Sequence, residues 1–329
     1  MKLGIIGAVT IVKEFLPNTE KLEGLEVLGI MGTRPDAVKK LCDDYGILCA
    51  TTDFDELCAA GIDTVYIAVP NHLHFDYCRK ALERGLNVIL EKPMASNDKE
   101  AEYLAGLARS KKLFLFEAVT TLYMDAYLKI REWLAKIGKI KIVQSHYSQY
   151  SSRYNAFQSG HVLPVFDPEK SGGALMDLNL YNLHFVMGLF GSPASVKYYA
   201  NMDRGIDTSG VLIMEYPDFV ATCIAAKDCN GMSGSFIQGT EGFIKTAGAP
   251  NMLGTVTLKL NDGTVEEYEE RMAKTRLIPE FAVFIRAVKE KDYDFCYRML
   301  DKSLEVSRIQ TKARLEAGIC FPADNRVVR

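Results

Sequence analysis

Over the first third of the chain, apolar residues fall into short runs that glycine, proline or polar residues stop abruptly. The runs are Leu3 to Gly7, Leu25 to Met31, Leu48 to Thr51, Asp63 to Val69, Asn87 to Leu90 and Leu113 to Phe116. Between them, Thr10 to Leu16, Ala37 to Tyr45, Asp53 to Ala59, Phe75 to Gly85 and Lys99 to Ser110 read as helices. Asp53 stands three residues before Glu56, the capping-box spacing, and Asn97 is placed to cap the helix that follows it. Six strands alternating with helices predict an α/β unit, a doubly wound parallel sheet over residues 1–119.

Beyond Glu117 the texture changes. Tyr123 to Ile137 reads as one helix with the only tryptophan, Trp133, and strands then predominate: Ile140 to Tyr150, Ser195 to Asn201, Ser209 to Tyr216, Phe219 to Lys227, Ser233 to Gly239, Gly242 to Thr246, Thr255 to Leu260 and Thr264 to Tyr268. Turn sequences such as Asn261-Asp262-Gly263 join them, which predicts a mostly antiparallel sheet. Leu175 to Leu189 and Ile278 to Lys291 are the helices expected to cover one face, and Met299 to Ala317 is a further amphipathic helix. Residues 120–329 are therefore expected to form a second, α+β domain for substrate binding and oligomerisation.

Composition narrows the function classes. The 329 residues are 48% hydrophobic and 25% charged with a net charge of -3, so bulk charge recruits neither nucleic acid nor an anionic membrane. A small-molecule partner follows, and the length supports two domains. The amino terminus reads as a first strand and not as a signal peptide, and no run is long enough to span a bilayer, so a cytoplasmic protein is expected. Eight scattered cysteines without C-x-x-C spacing read as reduced thiols, with no metal site.

The candidate chemistry gathers at strand ends. In an open parallel sheet, ligands bind beyond the carboxyl ends of the strands. This places Val69, Pro70, Asn71 and His74 after one strand and Glu91 and Lys92 after the next along a single edge. The strand, glycine turn and helix at Gly7, Val9, Thr10 and Ile11 offers backbone N–H groups to a pyrophosphate. Aligned on Gly7, however, the G-x-G-x-x-G pattern finds Val9 and Val12 at its second and third glycines. The second strand ends at Thr33-Arg34 with no acid at its tip, which favours NADP through its 2′-phosphate, NAD being the alternative cofactor. Further on, Ser171-Gly172-Gly173 runs into a helix where Asp177 and Tyr181 are four apart and share a face. A carboxylate beside a phenol suits acid or base work on an alcohol or carbonyl. It is equally a first-turn acid and a core aromatic with a wet tip, and spacing alone favours that structural reading. His184 reads as a core histidine. Ser145 to Tyr154, with His146, Tyr147, Tyr150, Arg153 and Tyr154, reads either as the lining of a hydroxyl-rich pocket or as a solvent-facing sheet.

Taken together, Val69-Pro70-Asn71-x-x-His74, Glu91-Lys92-Pro93, Gly172-Gly173-Ala174-Leu175-x-Asp177-x-x-x-Tyr181, Gly239-Thr240-Glu241-Gly242 and Glu316-Ala317-Gly318-Ile319 resemble the glucose-fructose oxidoreductase and inositol dehydrogenase (Gfo/Idh/MocA) family over essentially the whole chain. The resemblance implies a Rossmann domain, a mostly antiparallel second domain, and homodimers or homotetramers built through its open sheet. It also implies hydride transfer between a nicotinamide cofactor and a sugar, polyol or related alcohol. Lys92 matches the family's catalytic lysine and Asp177 its helix acid. Tyr181, where many members have histidine, resembles the branch that includes the dimeric dihydrodiol dehydrogenases. Tyr154, Asp177 and Tyr181 are the residues expected to touch substrate. A cofactor-binding sensor without turnover is the alternative reading, which the altered glycine turn supports.

Overall fold

The computed structural model describes residues 1–271 and 276–328. The chain divides into two compact units. One comprises residues 1–118 with residues 277–304 and the carboxyl-terminal tip, and the other residues 119–276 and 305–327.

The first unit is a parallel sheet of six strands: β1 (Lys2–Ile6), β2 (Glu26–Met31), β3 (Cys49–Thr51), β4 (Thr64–Ile67), β5 (Asn87–Glu91) and β6 (Leu115–Ala118). Their order in the sheet is β3-β2-β1-β4-β5-β6, which is the doubly wound plan with its topological switch between β1 and β4. The helices between them are α1 (Thr10–Phe15), α2 (Pro35–Tyr45), α3 (Phe54–Ala59), α4 (His74–Glu83) and α5 (Asp98–Ser110). Asp53 and Asn97 cap α3 and α5 as their spacing predicts, the Asp53 side chain accepting from the amides of Asp55 and Glu56 and Asn97 from that of Glu100. One core lies between β4, β5, α4 and α5, where Val65, Ile67, Leu90, Leu82 and Leu104 are sealed from solvent.

The second unit contains α6 (Asp125–Trp133), β7 (Ile140–Ser148), α7 (Tyr154–Gln158), α8 (Ala174–Asp177) and α9 (Asn179–Phe190). These are followed by β8 (Ser195–Asp203), β9 (Ile206–Glu215), β10 (Val220–Ala226), β11 (Gly234–Gly239), β12 (Gly242–Thr246), β13 (Thr255–Leu260) and β14 (Val265–Glu269). The eight strands form one sheet in the order β14-β13-β12-β11-β7-β10-β9-β8, in which every neighbouring pair is antiparallel except β7 with β10. Its core packs α9 and α6 on one face, with Leu180, Leu183, Phe185 and Trp133 against Val143, Leu212 and Cys223.

Three expectations are corrected. The segment 277–304, expected in the second domain, groups with the first unit through α10 (Leu277–Glu290) and the first half of α11 (Tyr293–Glu316). There Phe281 packs on Phe15 and Tyr66, and Phe284 stacks on Phe116, so these apolar faces complete the Rossmann core. The helix expected over Tyr123 to Ile137 is α-helical only in α6: Met124 before it is extended, and Leu134–Ile137 after it tighten into a 3₁₀ turn that ends at Gly138, where φ is +72°. The helix expected over Leu175 to Leu189 is split at Leu178 into the single turn α8 and the 12-residue α9. No helix of the described residues is long and apolar enough to cross a membrane.

Candidate active site

In the first unit a crevice opens at the switch point. It encloses about 590 Å³, including space open to solvent, and its lining combines Gly7, Ala8 and Val9 after β1, Met31 to Arg34 after β2, and Ala68 to Pro70 with Leu73 and Tyr77 after β4. Gly7 makes it possible. Its φ of +117° belongs to glycine, and a Cβ there would run into the carbonyl of Ala68 on the neighbouring strand. Gly32 is needed too, since a Cβ would lie 2.8 Å from Val38 on α2. The backbone can therefore approach a ligand closely where the two halves of the sheet diverge, as a dinucleotide requires. Val9 is exposed in the lining, whereas Val12 is fully buried and fills the space that a glycine at that position would leave. Arg34 stands exposed at the start of α2, its side chain making no ion pair or hydrogen bond among the described residues, so its guanidinium is available to an anion.

Six of the expected cofactor residues, Gly7, Val9, Thr33, Arg34, Val69 and Pro70, line this crevice; Thr10, Ile11, Asn71, His74, Glu91 and Lys92 do not. Ala8, Gly32, Leu73 and Tyr77 escaped the sequence reading, because nothing in their spacing distinguishes them. His74 is corrected from ligand to strut. It is sealed from solvent, with Nδ1 2.7 Å from the Pro93 carbonyl and Nε2 2.9 Å from that of Val69, and burial lowers its pKa below the ordinary value. The neutral ring has one N–H and donates to one of these carbonyls, and it fills the space between the loop after β4 and the loop that carries Lys92. The second loop is held from other sides as well: Glu117 at the end of β6 accepts from the amide of Met94 at 2.8 Å, and Glu100 accepts from that of Ser96 at 3.2 Å. Glu91 accepts from the buried Tyr66 hydroxyl at 2.6 Å. Lys92 therefore rises from a braced segment one strand beyond the crevice, with its own side chain half-buried.

In the second unit, Asp177, Tyr181 and Tyr154 come onto the helix-covered side of the sheet. The Asp177 carboxylate accepts from the ammonium of Lys227, 2.8 Å away at the end of β10. That ammonium also donates to the Val165 carbonyl at 2.9 Å and lies 4.7 Å from the Phe166 ring centroid. Tyr154 packs edge to face against Tyr150 and at a tilt against Phe166. Tyr181 is 8% exposed with its ring 6.0 Å from that of Tyr147. The neighbouring Asn179 and Asn182 are fully buried and donate to the Cys223 and Ile224 carbonyls, which pins α9 to β10 and fixes where Tyr181 stands. In the Ser145 to Tyr154 run, alternation sends Tyr147 to the Tyr181 side and His146 to the open face beside Gln144 and Ser233. His184 is buried in the core, as its apolar setting implied.

The Gly172-Gly173 turn is a packing device. A Cβ on Gly172 would meet the backbone of Val165 at 2.8 Å, and one on Gly173, where φ is +108°, would meet the Asp207 carboxylate. Asp207 is buried and accepts from the Leu175 amide at 2.6 Å and the Tyr198 hydroxyl at 2.7 Å, which holds the start of α8. Burial pushes its carboxyl up from 3.8 to about 6, an effect moderated by those two donors and by the Lys227 charge. The folded chain thus holds this proton more tightly than the unfolded chain does. The resulting stability is full below about pH 4 and is lost as pH rises to about 6, a change of about 3 kcal/mol. Asp207→Asn keeps an oxygen for both donors and cannot titrate, so it should flatten this part of the stability profile. Urea unfolding between pH 4 and 7 checks this, and an unchanged slope in the variant would place the titration elsewhere.

A parallel sheet in this order, with a glycine-floored crevice at its switch point, defines a dinucleotide-binding protein, and a second sheet domain gives it the build of a two-domain oxidoreductase. The chain belongs to the GFO/IDH/MocA family: residues 1–119 match the family profile described as an oxidoreductase family with an NAD-binding Rossmann fold, and residues 127–245 match its C-terminal domain. It is 32% identical to the scyllo-inositol 2-dehydrogenase (NADP(+)) IolU of Bacillus subtilis (strain 168), covering 98% of this chain and 99% of that one. Identity to the trans-1,2-dihydrobenzene-1,2-diol dehydrogenase of Mus musculus is 25%, over 99% of each chain. Among solved structures, the 3-ketoreductase KijD10 of Actinomadura kijaniata in complex with NADP and TDP-benzene superposes with a TM-score of 0.84 over 98% of this chain and 99% of that one; at 19% identity, the likeness is one of fold.

Proposed function

We propose that the protein is an NADP-preferring dehydrogenase of a cyclic polyol or sugar-like alcohol, with Lys92 as the acid/base at the reacting oxygen. In this reading Asp177, Tyr181 and Tyr154 hold the substrate. The observation that carries it is the bracing of the Lys92 loop by His74, Glu117 and Glu100, since catalysis by a positioned charge needs that charge held before substrate arrives. Gly7, Val9, Thr33, Val69 and Pro70 would hold the dinucleotide, and Arg34 its 2′-phosphate. The bound nicotinamide supplies or accepts the hydride. The Lys92 ammonium hydrogen-bonds the substrate oxygen, stabilises negative charge growing there, and gives or takes its proton as the direction requires. The ion-paired Asp177 carboxylate accepts from a neighbouring substrate hydroxyl, and the Tyr181 phenol donates to or accepts from another.

Titrating the purified protein with NADPH and NADH, followed by nicotinamide fluorescence, and then screening scyllo-inositol and other cyclic polyols for reduced-cofactor absorbance tests this reading. NADPH should bind more tightly, and Arg34→Gln should weaken it by about 10- to 100-fold while sparing NADH. Tight binding without turnover of any polyol, sugar or dihydrodiol would favour the sensor reading. We further infer that the uncovered face of the eight-stranded sheet, where Ile142, Tyr199 and Val220 are exposed, joins copies of the chain. A monomer mass by light scattering would remove that inference.

A further inference from the structure

Lys227 has no place in the sequence motifs, yet it is a deeply buried charge beside Asp177. Its side chain is 3% exposed, and its ammonium lies at hydrogen-bond distance from the Val165 carbonyl and the Asp177 carboxylate. The Asp177 side chain is 27% exposed. The backbone on both sides of the ammonium is fixed. The Lys227 amide donates to the Thr208 carbonyl at 2.8 Å, its carbonyl accepts from the Ser151 amide at 2.9 Å, and the next residue, Asp228, accepts from the Thr208 and Ser209 hydroxyls. Asp177 itself sits at the break between α8 and α9, where no continuous helix determines its direction.

We propose that Lys227 is a positioning residue: it holds the Asp177 carboxylate, at the end of a broken helix, in the one orientation that accepts a hydroxyl of the polyol. The proposal rests on the reading of Asp177 as a substrate-holding group. A carboxylate at a helix end has several rotamers and would lose its direction without a fixed partner. Lys227 provides that partner from a strand end whose backbone is bonded on both sides, and the Phe166 ring, its centroid 4.7 Å from the ammonium, packs against it. The arrangement also fixes the chemistry of the acid. An ion-paired carboxylate accepts hydrogen bonds and has no proton to give, so Asp177 selects hydroxyl donors and leaves proton transfer to another group.

The test is a double-mutant cycle with scyllo-inositol and NADP⁺ as the probe pair, together with thermal unfolding. Lys227→Met should lower kcat/KM for the polyol by about 100-fold, the cost of a mispositioned group, while KM for NADP⁺ stays within a few-fold. In the Asp177→Asn background the same change should cost almost nothing further, because the carboxylate that it positions is gone. The neutral pair, Lys227→Met with Asp177→Asn, leaves no buried charge unpartnered. If Lys227→Met alone fails to fold, comparing this pair with Asp177→Asn alone still decides: equal activity supports the proposal, and a further large loss overturns it. A folded Lys227→Met enzyme with near-normal polyol kinetics also overturns it. Near-normal activity of Asp177→Asn removes the reading of Asp177 on which the proposal stands.

Discussion

Lys92→Met is expected to lower kcat by about three to four orders of magnitude while leaving the affinity for NADPH unchanged. Methionine keeps the length and bulk of the lysine stem and removes its charge and its proton. What is lost is stabilisation of a developing alkoxide, about 10²- to 10³-fold for one well-placed donor, together with proton transfer, about 10²- to 10⁴-fold. These overlap because one group serves both, so the combined cost is about 4–5.5 kcal/mol of barrier. The loop itself should survive, since its bonds to His74, Glu117 and Glu100 are made by the backbone of Pro93, Met94 and Ser96 and not by the lysine side chain. Steady-state kinetics beside a fluorescence titration separate the two quantities. A loss of only a few-fold in turnover would show that Lys92 is not the acid/base.

The second large effect is expected of Gly7→Ala. A φ of +117° lies outside every region open to an L residue, and the added methyl would sit on the carbonyl of Ala68, a backbone atom of the adjacent strand. Relief requires β1 and β4 to separate where Ala68 donates its amide to Ile6 at 2.8 Å and Gly7 donates to Met31 at 2.8 Å. The expected cost is on the order of 3–5 kcal/mol of stability, with loss of dinucleotide binding in whatever remains folded. Chemical denaturation and NADPH titration of the variant measure both. By contrast, Gly46 and Gly61 also have positive φ, but a Cβ there meets nothing within 4 Å, so alanine at those sites should cost only the backbone strain. A variant at Gly7 as stable as the parent would mean that the strand ends can part without penalty, and the crevice would not be the fixed site described.

Much of this molecule is legible in its sequence because local physics decides it. The alternation of apolar runs with helical segments gives the Rossmann plan without any help from the glycine fingerprint, and the caps at Asp53 and Asn97 close where their spacing says. Gly7 and Arg34 could be read as crevice residues because a strand end leaves the chain few places to go. The family motifs carry the dehydrogenase reading, and the whole-length relatives bear out the family.

Other features lie outside local pattern. His74 falls in a motif that reads as a ligand, yet its ring bridges two loops that meet only in space. Asp177 pairs with Lys227, fifty residues away and indistinguishable in sequence from a solvated turn lysine. Residues 277–304 lie beyond the second sheet in sequence and complete the first unit's core. Periodicity and capping depend on neighbours along the chain, so sequence determines the elements. Which charge finds which partner, and which helix seals which sheet, depends on side chains meeting across long separations, and that only the folded packing decides.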